Sequence, residues 1–204
     1  MDPLTLAHRE AQLAIRSQVL RALVRIWPAM DWTRLDATFP AWVESVRPLV
    51  LAGHSTSADI AASYLRRYRA ASGVRGEAVI VKASPLDEAR LLAVMEITAK
   101  ATAKAAAVRG VTAEQAMANA FVRSSGAATR LVLEGGRQTL VESIKADRRC
   151  TGYERVLGSN PCDFCRKLEG WSKSAPATGQ VNQALFGNFE AHDHCGCSVR
   201  PTYS

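Results

Sequence analysis

Nowhere in this 204-residue chain is there an apolar run long enough to cross a bilayer. The first thirty residues also lack the charged-then-apolar order and small-residue cleavage site of a secretory signal, so the sequence reads as a cytosolic product. A glycine-rich phosphate loop is missing too, because Gly135-Gly136 stands without a Gly-Lys-Ser or Gly-x-Gly-x-x-Gly context. Neither His54-Ser55 nor Ser124-Ser125 lies in a nucleophile-elbow pattern, which leaves triad hydrolysis without a motif. Internal repeats and low-complexity tracts are absent, the alanine-rich run from Ala99 to Ala107 coming closest. What remains is an ordinary globular composition, 48% hydrophobic and 22% charged, enough to bury a core.

Lys and Arg outnumber Asp and Glu by 26 to 19, a formal +7 that favours an anionic partner. The excess is +4 in residues 1–76, zero in 77–120 and +3 in 121–204, so no single tract reads as a nucleic-acid arm. Dispersed cations of this kind predict at most weak, sequence-independent and salt-sensitive DNA contact.

The chain divides by texture into a helical body, residues 1–149, and a small turn-rich segment, residues 150–204. Leu6, Leu13, Leu20 and Trp27 recur every seven residues and predict an amphipathic helix over 4–27, ended at Pro28. A second helical region is expected from Pro40 to Ala71, bent or broken at Pro48 and near Gly53, closed by Gly73, with Tyr64, Leu65 and Tyr68 facing inward. Val79-Ile80-Val81 reads as a strand or a packed linker. Ser84-Pro85 should open a helix that runs to Val108 before Gly110, with Asp87 and Glu88 at its positive end. Thr112 should cap the next, carrying Ala116, Ala120 and Phe121 to Leu133, and Gly135-Gly136 should break or bend it ahead of a last helix over 137–147. Arg155-Val156-Leu157 and Ser198-Val199-Arg200 suggest short strands. The expected fold is therefore mainly α, with a small C-terminal α+β domain of zinc-knuckle type.

Chemistry concentrates in that segment. Four of five cysteines fall in Pro161-Cys162-Asp163-Phe164-Cys165 and His192-Asp193-His194-Cys195-Gly196-Cys197. A Cys-x-x-Cys knuckle can turn two thiolates on one ion, and the second cluster supplies imidazole and thiolate to complete a tetrahedron. The first choice of ligands is Cys162, Cys165, His192 and Cys195, with His194 and Cys197 competing, around a structural zinc ion whose binding would stabilise a segment too small for its own core. A disulfide between the clusters, or plain reactive thiols, are the other readings; a reducing cytosol favours the metal. Cys150 is left over as a partly buried small hydrophobe. His8-Arg9-Glu10 and the Pro-Cys-x-x-Cys run match the two halves of a zinc deaminase signature, but they lie about 150 positions apart, and a site filled by four side chains keeps no place for water. No catalytic constellation emerges.

The C-terminal third carries a resemblance. Gly136-Arg137-Gln138-Thr139-Leu140, Asp147-Arg148-Arg149, Tyr153-Glu154-Arg155-Val156, Asn160-Pro161-Cys162-Asp163-Phe164-Cys165, Leu168 and Ala191-His192-Asp193-His194-Cys195-Gly196-Cys197-Ser198-Val199-Arg200-Pro201 together resemble the MuF-type minor head proteins of tailed bacteriophages, in the version found in phages of actinobacteria. The resemblance implies a head-morphogenesis protein present in few copies inside the virion head after synthesis in the host cytoplasm. It would contact the portal protein and the inner capsid or scaffold and aid assembly, DNA packaging or delivery. Neither a membrane nor a small-molecule substrate is implied. Relatives of this kind are also labelled capsid maturation proteases, which is the enzymatic alternative.

Overall fold

The computed structural model describes residues 2–158, 161, 163, 165–167, 191, 193 and 195–204. Helix α1 spans Pro3–Ile26, α2 Leu35–Ala71, α3 Glu88–Met95, α4 Thr102–Val108 and α5 Ala113–Ala146. Strands β1, Cys150–Val156, and β2, Ser198–Tyr203, form an antiparallel pair. The mainly helical fold with a small C-terminal sheet is as expected.

Helix α1 starts where Asp2 accepts a hydrogen bond from Thr5 N at 2.9 Å, with Pro3 fitting the first turn. Its inward face is not the leucine heptad. Leu6 is 41% exposed, whereas Thr5, His8, Gln12, Ile15, Val19, Ala22 and Leu23 are buried. Three of those seven residues are polar, so hydropathy alone picks the neighbouring stripe. Two of its polar members are satisfied across the interface: Thr5 bonds Tyr64 at 2.8 Å, and Gln12 bonds Ser57 through Oε1 at 2.6 Å and Nε2 at 3.0 Å, while His8 stacks on Tyr64 and its buried Nδ1 has no hydrogen-bond partner.

Helix α2 begins at Leu35, five residues before Pro40, and runs unbroken through Pro40, Pro48 and Gly53. An interior proline costs about 3 kcal/mol, and burial of Trp42, Val43, Val46 and Val50 offsets it at about 1.5–3 kcal/mol each. The next helix starts at Asp87, which caps Ala89 N at 2.9 Å, rather than at Ser84-Pro85. It passes through a π turn at Glu96–Ala101 and ends before Gly110, whose φ of 73° is left-handed. Val79-Ile80-Val81 is the packed linker: Val81 N donates to Ser143 Oγ and Ala83 N to Thr139 Oγ1, each at 2.9 Å.

The expected break at Gly135-Gly136 does not occur, because those glycines serve packing. A Cβ on Gly135 would overlap the His54 carbonyl of α2, and one on Gly136 would lie 2.6 Å from Gln12 Nε2 and Ser57 Oγ. Opposite them, a Cβ on Gly53 would meet Val132 at 2.9 Å. Helices α2 and α5 thus cross nearly backbone to backbone. One apolar cluster fills the space among α1, α2, α3 and α5, around Trp42, Val46, Val50, Leu91, Met95 and Leu131. A second joins α2 and α5 to the sheet through Ala61, Tyr64, Leu65, Leu140, Ile144, Cys150 and Val199. Cys150 is the small hydrophobe expected of it, its thiol pushed up to about 11 by burial.

Candidate metal centre

The sheet brings the two cysteine clusters together. Val156 at the end of β1 pairs with Ser198 at the start of β2, so the chain leaving β1 and the chain entering β2 emerge at one end. Gly158 and Gly196 then approach closely; a Cβ on Gly158 would lie 3.4 Å from the Gly196 carbonyl. Cys165 sits in a helical stretch, residues 165–167, and Cys195 and Cys197 flank Gly196 just before β2.

The sulfurs of Cys165, Cys195 and Cys197 lie within 4.8 Å of one another, and all three residues are buried. They form a small cluster of their own, against which Leu157 and Ala191 pack. Cys165 Sγ and Cys195 Sγ are 3.8 Å apart, nearly twice a disulfide's length of about 2 Å. These cysteines are free. Four sulfurs placed about 2.3 Å from a central zinc would be separated by about 3.8 Å along each tetrahedral edge, so the spacing suits a soft dication. Three buried thiols in this arrangement can bind a metal ion.

Of the first-choice ligands, the structure brings together Cys165 and Cys195, and it adds Cys197 from the competing pair. Cys162, His192 and His194 lie outside the described residues. Among the described residues no other group of three or more His, Cys, Asp or Glu side chains converges in this way, and His8 of the deaminase-like match does not join it. That histidine is buried in α1, stacked on Tyr64 with ring centres 4.4 Å apart.

Electrostatics favour ionisation at Cys195. The Cys197 thiol donates to Cys195, which holds Cys195 well below the ordinary thiol range, with the Arg137 guanidinium adding to the effect. The same bond pushes the Cys197 thiol up. Cys195 is thus the thiol poised to ionise, and a bound cation would have to displace the proton that Cys197 holds.

Sequence reading gave no role to the arginines around this cluster. Arg137 of α5 donates from Nη2 to the Cys195 carbonyl at 2.6 Å and to the Cys197 carbonyl at 3.4 Å. Arg130, two turns earlier, pairs with Asp193 at 2.8 Å, and Arg155 Nη1 of β1 stands 3.9 Å from Cys165 Sγ. Burial pushes Arg137 below the usual arginine range, and the neighbouring thiolates oppose that shift. The available signal was a cation set among Leu133, Gly136 and Leu140 on α5.

The residues considered for hydrolysis are placed apart. His54 directs Nδ1 at the Leu131 carbonyl, 2.8 Å, and Nε2 at the Ser84 carbonyl, 3.2 Å. The Ser124 and Ser125 hydroxyls donate to Phe121 O and Val122 O of their own helix, each at 3.2 Å.

A family model described as VG15 protein matches residues 4–204, nearly the whole chain. The chain belongs to the VG15 family. VG15 proteins are phage-associated, which makes this a phage protein. The match covers the helical body and the cysteine segment alike. No curated protein and no solved structure matches the chain.

Proposed function

We propose that this VG15 protein is a non-catalytic minor component of a phage head, and that its cysteine centre is a structural zinc site. Three buried thiols converging where two chain segments meet carry the zinc reading. In this reading Cys165, Cys195 and Cys197 supply three ligands, and Cys162, His192 or His194 the fourth. Four side-chain ligands would close the coordination shell, as suits a fastening rather than a reaction. Membership of a phage family supports the setting, and the MuF-like C-terminal pattern supports the narrower role. The protein joins the procapsid in few copies through the portal and the inner shell or scaffold, resides inside the head, and aids packaging or delivery of DNA. Its net positive charge allows weak, non-specific DNA contact there.

The test is co-expression with portal, scaffold and major capsid protein, followed by particle isolation and copy counting by quantitative mass spectrometry. Substoichiometric incorporation with normal shell-protein processing, in wild type and in His54→Ala, Ser55→Ala and Ser125→Ala, is expected. Absence from every particle would remove the minor-head reading. Blocked cleavage of capsid or scaffold in one variant would establish the maturation protease instead. Elemental analysis should find about one zinc per chain after chelator-free purification, and less than about a tenth of an equivalent would end the zinc reading.

A further inference from the structure

We propose that α5 is the template of the metal centre: Arg137 and Arg130 hold Asp193, Cys195 and Cys197 in ligand geometry, while Arg137 and Arg155 balance the charge of the thiolates. The inference rests on the zinc reading above and concerns how the site is built.

Position comes first. Arg137 donates to the carbonyls of both residues flanking Gly196, so one guanidinium grips the two ends of the turn that presents Cys195 and Cys197. Arg130 lies seven residues earlier, on nearly the same side of the helix, and its pair with Asp193 fixes the chain two residues ahead of Cys195. The helix carrying both arginines cannot roll, because Gly135 and Gly136 pack it against α2 and α1 with no room for a side chain. The second cysteine cluster is therefore positioned by the helical body before an ion arrives.

Charge is the second requirement. Three thiolates around a dication already leave a net negative charge before a fourth ligand is counted, and burying that charge uncompensated is costly. Arg137 is 7% exposed and Arg155 6% exposed, and they approach the cluster from α5 and from β1. Arg155 faces Cys165, the ligand of the first cluster, and Arg137 faces the turn of the second. Each cluster thus meets the ion with its own cation behind it.

Full-length wild type, Arg137→Met, Arg137→Lys and Arg130→Met are titrated with Zn²⁺ against a competing chelator under reducing conditions. Co²⁺ is then substituted to read the thiolate-to-metal charge-transfer band. Arg137→Met is expected to weaken zinc binding about 10–100-fold, with a changed cobalt band and an unchanged helical signal in the metal-free protein. Arg137→Lys keeps the charge but cannot span both carbonyls, so it recovers part of the affinity; Arg130→Met, at a half-exposed pair, loses less than about tenfold. A zinc affinity within about twofold of wild type in Arg137→Met would overturn the proposal. If that variant does not fold, Arg137→Lys decides: a wild-type affinity and cobalt band there would overturn it equally. Failure of the wild type to bind zinc would instead remove the metal reading beneath it.

Discussion

The two ends of this molecule are held by different physics. Across α1, α2, α3 and α5, Trp42, Val46, Val50, Leu91, Met95 and Leu131 are almost wholly buried in one apolar cluster. Beyond the sheet, three cysteines have Leu157 and Ala191 for apolar company. The body resists unfolding because many side chains leave water together, and no single one is indispensable. Among the described residues the cysteine end has little apolar surface of its own, and in the reading proposed above its hold comes from coordination and from two buried arginines. Between them lies the β1–β2 pair, which shares its core with α2 and α5 through Val199, Cys150 and Ile144. The dependence on metal is therefore expected to stop at the open end of the sheet, near Leu157 and Ser198, and not to extend to its whole length.

The largest effect should come from separating α2 and α5. Gly135→Val places a branched side chain against the His54 backbone, so the body should lose more than about 4 kcal/mol or fail to fold, measured by urea denaturation and circular dichroism. A near-wild-type midpoint would show that the helices do not cross as closely as described.

Next is the buried pair of Arg69 and Asp147, 2.8 Å apart, which joins the end of α2 to the end of α5 just before β1. Asp147→Ala leaves the guanidinium buried without its carboxylate and should cost about 3–5 kcal/mol. This change should loosen the sheet's attachment while zinc stoichiometry persists, which separates the body's contribution from the metal's.

Acid should act on the body through His8. Burial holds its imidazole down to about 4, against 6.5 for an ordinary histidine, so between those values the unfolded chain binds the extra proton. Its contribution is complete above about pH 6.5, declines as pH falls toward 4 and levels off below, about 3 kcal/mol in all. His8→Gln should remove that part of the slope in denaturation curves run from pH 4 to 7. An unchanged slope would assign the acid sensitivity elsewhere.

The smallest effect belongs to the surface. Arg90 meets Glu134 through two bonds of 2.9 Å, yet Arg90 is 43% exposed, so Glu134→Gln should cost less than about 1 kcal/mol and fade with salt. A larger loss would mean that the linker face of α5 matters more to the body than its burial suggests.

Several of these features were legible in the sequence and several were not, for physical reasons. Helix α5 announced its start through Thr112 and the end of α4 through Gly110, because capping and left-handed turns are local. That members of the two cysteine clusters meet was expected from their pairing in sequence, but spacing did not choose among the six candidates, and Cys197 ranked there only as a competitor. Gly135 and Gly136 misled, since a glycine pair signals a break unless a partner helix needs the room, and the partner lies nearly eighty residues away in sequence, at His54 and Ser57. The α1 face was misplaced because Thr5 and Gln12 are buried by hydrogen bonds to α2 and His8 by stacking on Tyr64, which hydropathy does not register. Arg137 was invisible as a site residue for the same reason: its importance lies in the backbone carbonyls it reaches, not in a spacing.

The comparison is tested most directly by hydrogen–deuterium exchange with mass spectrometry on the purified protein, before and after chelation under reducing conditions. Peptides covering residues 157–167 are expected to lose protection on chelation, while those from α2 and α5 keep theirs and those from β1 change little. Unchanged protection over 157–167 in metal-depleted protein, or a simultaneous loss through α2 and α5, would contradict it.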